Sequence, residues 1–152
     1  MSEALTIAEL ENTQRLDLGA SDWVEITQER IDLFAEATGD HQWIHVDAER
    51  AANGPFGTTI AHGYLLLALL PTLLADIFTV SDQTMGVNYG IERLRFTSAV
   101  AAGSRVRARA EISSVQRRGD ALAFQVGVSL EIDGSEKPAL VGEVVYLAYG
   151  GS

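Results

Sequence analysis

Two hydrophobic periods divide the chain. In the second half Arg105, Arg107 and Arg109 alternate with Val106, Ala108 and Ala110. Further on, Leu122, Phe124, Val126, Val128, Leu130 and Ile132 alternate with smaller or polar residues such as Gln125, Ser129 and Glu131. Side chains of a strand point to opposite faces in turn, so a period of two predicts half-buried strands. Pro138 to Tyr149, rich in Val and Tyr, is a third such run, and Met85 to Phe96 holds one more strand or a hairpin around Gly90. Gly119-Asp120 and Asp133-Gly134 supply turns between them.

The first half has helical spacing. Ile31, Phe34, Ala35 and Thr38 share one face, Thr27 is placed to cap their helix, and Gly39 stands where a C-terminal glycine belongs. Asp47 caps a short helix over 48–52, which Asn53-Gly54-Pro55 ends, and Trp23 to Ile26 reads as a short strand. Asp40 to Val46 is a polar and aromatic loop, and 54–63 a loop of small residues. Tyr64 to Ala75 is apolar on nearly every side, which predicts a helix wrapped by other structure. The first twenty residues show weak periodicity and read as a peripheral arm. Helices first and antiparallel strands afterwards imply an α+β domain over 1–152, one sheet curled around one buried helix.

Composition narrows the function. Apolar residues make up 47% and charged residues 21%, a globular balance, and 152 residues suit one core. The net charge of -10 argues against nucleic acid, whose phosphates need a basic surface. Seven of the eleven basic residues nevertheless fall between Arg93 and Arg118, with Glu111 the single acid among them. That stripe either holds an anionic small molecule or forms a solvated strand face. With no cysteine, disulfides, thiolate nucleophiles and Cys-ligated zinc are excluded. The acidic start carries no signal-peptide pattern, and the apolar run is shorter than the ~20 residues that span a bilayer. The expectation is a cytoplasmic protein with no membrane partner.

The polar chemistry is concentrated. All three histidines, His41, His45 and His62, fall within a short span that also holds Asp40 and Asp47. Asp40 follows a helix C-terminus, and His45 lies in the same loop, so the two can converge on one water as base and proton relay. The plainer alternative makes Asp40 an Asx-turn residue and His45 a loop histidine bonded to backbone. A third reading takes His41, His45 and His62 with Asp40 or Asp47 as metal ligands, but the glycine before them disfavours helical spacing. Gly63 opens the apolar helix, where its N–H can meet a negative oxygen or where glycine merely permits close packing. No phosphate loop and no G-x-S-x-G elbow occurs.

The run Ala37-Thr38-Gly39-Asp40-His41-Gln42-Trp43-Ile44-His45 resembles the hydratase-2 motif of MaoC-like, (R)-specific enoyl-CoA hydratases. That motif has a Gly-Asp pair, a spacer of usually Asn-Pro and an aliphatic residue, then His. Ile60-Ala61-His62-Gly63 resembles the start of the family's central helix, and the wording from Asp40 to His45 resembles the nodulation-protein-N-like subgroup. The likeness runs from about Trp23 to Tyr149. It implies a hot-dog fold, an antiparallel β-sheet wrapped around a long central helix, and a homodimer. It also implies Asp40 and His45 as the catalytic pair and an acyl-CoA thioester as substrate. Gly63 then offers its N–H to the thioester carbonyl, with His62, Gln42 and Trp43 also at substrate-binding positions. Gln42 and Trp43 depart from the wider family's Asn and Pro. The expectation is that Gln42 takes over the Asn's hydrogen bonds while Trp43 reshapes the acyl pocket. No metal and no cofactor is called for, since the thioester itself makes the β-carbon electrophilic. The rivals are dehydration of a 3-hydroxyacyl carrier-protein thioester by the same residues, a hot-dog thioesterase, and a non-catalytic acyl-CoA-binding domain.

Overall fold

The computed structural model describes residues 2–151. The chain opens with strand β1 (Glu3–Leu5), helix α1 (Ile7–Glu11) and strands β2 (Leu16–Ala20) and β3 (Val24–Glu25). Helix α2 (Gln28–Thr38) leads to a single turn, α3 (Trp43–Val46), and to the short helix α4 (Ala48–Ala52). A helix in two segments follows, α5 (Gly63–Ala68) and α6 (Leu70–Ile77). Strands β4 (Phe78–Val80), β5 (Gln83–Phe96), β6 (Arg105–Arg118), β7 (Ala121–Ile132) and β8 (Leu140–Gly150) complete the chain.

The main sheet is antiparallel, in the order β2-β6-β7-β8-β5, with β3 continuing the β2 edge along β6. Its inner face follows from the period of two: Val106, Ala108, Ala110 and Ile112 of β6 and Leu122, Val126 and Leu130 of β7 are buried. Against that face lie Leu65, Leu66, Leu70, Leu73, Leu74 and Ile77 of the segmented helix. Each such side chain, fully buried, contributes about 1.5–3 kcal/mol relative to exposure, and this packing seats the helix on the sheet. The Met85 to Phe96 region is one bulged strand rather than a hairpin, because β5 pairs with β8 along its whole length with register shifts around Gly90.

Three expectations need correction. The first twenty residues are not a peripheral arm: β1 pairs in parallel with β4, and Ile7 and Leu10 of α1 lie in the core. Their helix is held by a reciprocal cap in which Thr6 and Glu9 bond each other's backbone. Secondly, the loop from Asp40 to Val46 contains the α3 turn, closed by His45 N–H to the Gln42 carbonyl at 3.0 Å.

The third concerns the central helix, which breaks at Leu69. Pro71 has no N–H for the carbonyl one turn back, and its ring crowds that carbonyl. Nor does the chain wrap this helix on all sides. Tyr64 is 69% exposed, and Ala68, Pro71 and Ala75 lie along the same open face. Beside that face runs β5, which ends the sheet and exposes Met85, Tyr89 and Ile91.

Candidate active site

Gly39 ends α2 with φ 82°, a left-handed backbone that glycine adopts without strain, and so turns the chain into Asp40. The Asp40 carboxylate is exposed, and it accepts the Gln42 N–H at 3.3 Å. The α3 turn then carries His45 inward. Ile60 N–H donates to the Ile44 carbonyl at 3.0 Å, which ties this turn to the strand-like segment before α5.

His45 is buried, and its Nδ1–H donates to the Ile60 carbonyl at 2.7 Å. A carbonyl only accepts, so Nδ1 carries the proton and Nε2 of the neutral ring is bare. His62 is 2% exposed and lies behind His45, the two rings stacked at 3.9 Å with planes 22° apart. Its Nε2–H donates to the Asp40 carbonyl at 2.9 Å, and its Nδ1 has no hydrogen-bond partner among the described residues. Phe34 of α2 packs on it at 4.9 Å.

Asp40, His45 and His62 each bring a ligand-type atom within 4.8 Å of the other two. Their arrangement favours acid–base work over coordination. Imidazole lone pairs lie in the ring plane, and two stacked rings send theirs side by side rather than toward one ion. One nitrogen of each ring is also committed to a carbonyl. His41 is turned outward, 3.5 Å from the Glu36 carboxylate, and Asp47 caps α4 through the Arg50 N–H at 3.0 Å. Neither belongs to the cluster.

A cavity of about 300 Å³ opens beside His45, lined also by Phe56, Ile60, Gly63, Phe96 and Val100. Gly63 begins α5, where first-turn N–H groups lack an intrahelical acceptor. A Cβ on Gly63 would meet the Phe96 ring at 3.1 Å, so glycine lets the helix start pack closely against Phe96 at the cavity wall. A larger groove of about 470 Å³ lies between α5, α6 and β5, but it is lined mainly by apolar and aromatic side chains and holds no carboxylate–imidazole pair.

Two expected contacts are absent from the cavity wall. Gln42 is exposed, and its side chain makes no hydrogen bond among the described residues. Trp43 packs outward instead, 2.9 Å from where a Cβ of Gly54 would sit and with the Arg50 guanidinium 4.4 Å over its ring. Trp43 is not among the residues lining the cavity.

Sequence reasoning missed the support beneath the turn. Gln28 donates from Nε2 to the His45 carbonyl at 2.8 Å and to Asp32 at 2.9 Å, and its Oε1 accepts from the buried Thr59 hydroxyl at 2.5 Å. These residues are far apart in sequence, and no local pattern announces the bond. Within the arginine stripe, by contrast, Arg105, Arg107 and Arg109 are paired with acids on the outer face. Arg107 and Arg109 meet Glu131 at 2.6 and 3.4 Å, Arg105 pairs with Asp133, and Arg107 lies 4.4 Å over Trp23. The Arg107 guanidinium holds the Glu131 carboxyl below its usual range.

An antiparallel sheet over a central helix, with Asp40 and His45 close to the helix N-terminus, defines a hot-dog fold. Residues 10–132 match the family described as the MaoC like domain, and the chain belongs to the MaoC-like dehydratase family. It is 50% identical over 141 residues to 3-hydroxyacyl-thioester dehydratase Z of Mycobacterium tuberculosis, covering 92% of this chain and 93% of that one. Nodulation protein N of Rhizobium leguminosarum is 47% identical over 139 residues, covering 90% and 86%. Among solved structures, the unliganded R-hydratase PhaJ1 of Pseudomonas aeruginosa shares the fold, with TM-score 0.75, 24% identity and coverage of 97% and 87%.

Proposed function

We propose that the chain adds water across the double bond of trans-2-enoyl-CoA to give (3R)-3-hydroxyacyl-CoA, and catalyses the reverse dehydration. The observation that carries this reading is that Asp40 and His45 bring a carboxylate oxygen and a ring nitrogen within 4.8 Å of each other, with His45 and Gly63 lining one cavity. A water between the two has two protons and meets two acceptors. Asp40 takes one proton while His45 Nε2 holds the other, and the oxygen adds to the β-carbon. The displaced π electrons move to the thioester oxygen, where the Gly63 N–H stabilises the enolate. The proton gained from water then returns to the α-carbon, with His45 assisting, so the addition balances without an outside reagent. Relatives named a 3-hydroxyacyl-thioester dehydratase support the same chemistry in the opposite direction. With coenzyme A thioesters as substrates, a cytoplasmic location follows.

The test is loss of enoyl absorbance over a short-to-long series of trans-2-enoyl-CoA, with chiral analysis of the product. Hydration to the 3R alcohol supports the proposal. Release of free thiol marks a thioesterase, and binding without turnover marks an acyl-CoA-binding domain; either result contradicts it. Turnover only of carrier-protein thioesters would keep the mechanism and move the carrier.

The exposed apolar side chains of β5 and the open face of α5 support a homodimer, since an uncovered edge strand is a site for pairing. Light scattering at twice the 16.4 kDa chain mass is expected, and a monomer at micromolar concentration would contradict it.

A further inference from the structure

We infer that His62 is a positioning residue: one imidazole fixes both the Asp40 backbone and the plane of the His45 ring. The inference rests on the proposed hydration chemistry for its kinetic test and on the geometry alone for its spectroscopic one.

Stability gives no reason for histidine at this place. His62 is 2% exposed, sits between Phe34 and His45, and leaves Nδ1 without a partner among the described residues. A buried acceptor with no donor is unfavourable, and a phenylalanine of similar outline would avoid it. What histidine adds over phenylalanine is one donor beside the flat face, so that a single ring serves both members of the acid–base pair.

The Asp40 turn has only weak restraints besides the His62 bond, and the His45 ring, though its backbone is held, has a single hydrogen bond. Asp40 follows a left-handed glycine in an exposed turn, and its remaining hydrogen bonds, to Thr38 Oγ1 and from Gln42 N–H, are each 3.3 Å long. The 2.9 Å bond from His62 Nε2–H to its carbonyl is the shortest of the three. His45 has one ring hydrogen bond, to the Ile60 carbonyl, which sets the direction of Nδ1 but leaves rotation about that axis. The stack on His62 fixes that rotation, and with it the direction of the bare Nε2. His62 also stands directly before Gly63, so the segment that orients the pair continues into the helix start that offers the N–H. It is not among the residues that line the cavity, so it acts through its neighbours.

Two variants separate its two contributions. His62→Phe keeps a flat ring and removes the donor, while His62→Gln keeps a donor of similar reach and removes the ring. With trans-2-butenoyl-CoA as the probe, His62→Phe should lower kcat about 10- to 100-fold with KM changed less than about threefold, because misplacement by an ångström costs about 10²-fold. His62→Gln should recover part of that loss. Combined with Asp40→Asn, His62→Phe should add little further loss, since it acts through a group already disabled. Losses that multiply in the double variant, or a His62→Phe protein with more than half the wild-type kcat, would overturn the inference.

Nitrogen NMR of the imidazoles reads the geometry whether or not the enzyme hydrates this probe. The wild-type protein should show His62 as the Nε2–H tautomer and His45 as the Nδ1–H tautomer. In His62→Gln the His45 ring signals should shift and broaden. An Nδ1–H tautomer for His62, or His45 signals unmoved in the variants, would contradict the positioning role even if the hydratase reading holds. A chain that hydrates nothing but shows the expected NMR pattern would fail the functional proposal and keep this one.

Discussion

Replacing Gln28 by Ala tests whether the support beneath the turn that carries His45 has the weight its hydrogen bonds imply. The substitution removes three bonds at once, to the His45 carbonyl, to Asp32 and from Thr59. The Asp32 bond is exposed and contributes little. The Thr59 hydroxyl is 3% exposed and is left without its acceptor, which costs about 1–3 kcal/mol. Losing the donor to the His45 carbonyl adds about 1 kcal/mol, and the better helix propensity of Ala returns a few tenths. The sum is about 2–4 kcal/mol. For a chain of this length each kcal/mol moves Tm by about 2–4 °C, so calorimetry should find Tm lower by about 4–16 °C. A rescue sharpens the test. Gln28→Leu combined with Thr59→Val removes both ends of the bond and should recover part of the loss, because neither polar atom is then stranded. In the enoyl-CoA assay Gln28→Ala should also lower kcat, since His45 loses the bond that holds its carbonyl. A Tm within about 1 °C of wild type with unchanged kcat would refute the reasoning.

Two further outcomes follow from particular contacts. Gly54→Ala puts a methyl 2.9 Å from the Trp43 ring and 3.3 Å from the Ala51 carbonyl, so it should cost about 1–3 kcal/mol by denaturant unfolding. Trp43→Leu should relieve that cost in the double variant, and two losses that simply add would show that Trp43 does not press on Gly54. Burial pushes the Tyr146 hydroxyl up to about 12. Its folded value lies above its unfolded one, so its stabilisation is present below pH ~10 and is lost as pH rises toward 12. Tyr146→Phe should therefore flatten the alkaline fall of stability in that window, and an identical pH profile in the variant would contradict the burial argument.

Much of this architecture is legible in the chain. The alternation around Arg105–Arg109 and Leu122–Ile132 marks both the strands and their inner faces, and Thr27, Gly39 and Asp47 mark helix ends, because each of these signals is local. The reciprocal cap at Thr6 and Glu9 is local as well, yet the few apolar residues around it hide how deeply Ile7 and Leu10 are buried. The run from Tyr64 to Ala75 reads as one helix, and that reading misses the break at Leu69, just before Pro71. The open face at Tyr64 does not announce itself, because apolar periodicity cannot say which side of a helix the same chain covers. Within the site, spacing leaves Asp40 and His45 open between a water-activating pair and an ordinary turn, and the resemblance to the hydratase-2 motif singles them out. The support from Gln28 and Thr59, and the stack of His62 on His45, exist only once α2, α3 and the segment before α5 are brought together. Trp43 was readable as a departure from the family pattern, but only the contact with Gly54 tells where its ring goes.

The claim that Asp40 and His45 are an acid–base pair is tested most directly by kcat for enoyl-CoA hydration in Asp40→Asn and His45→Gln. Asparagine keeps the size of Asp40 and cannot take the water's proton, while glutamine keeps a polar group and removes the His45 ring. General acid–base groups contribute about 10²–10⁴-fold, so each variant should lose at least ~10²-fold in kcat with KM moving much less. The double variant should be barely worse than either single one, because both residues act on one water. His41→Gln and Asp47→Asn, which lie outside the cluster, should keep most activity. Wild-type hydration rates in Asp40→Asn and His45→Gln, with both proteins folded by circular dichroism, would contradict the account.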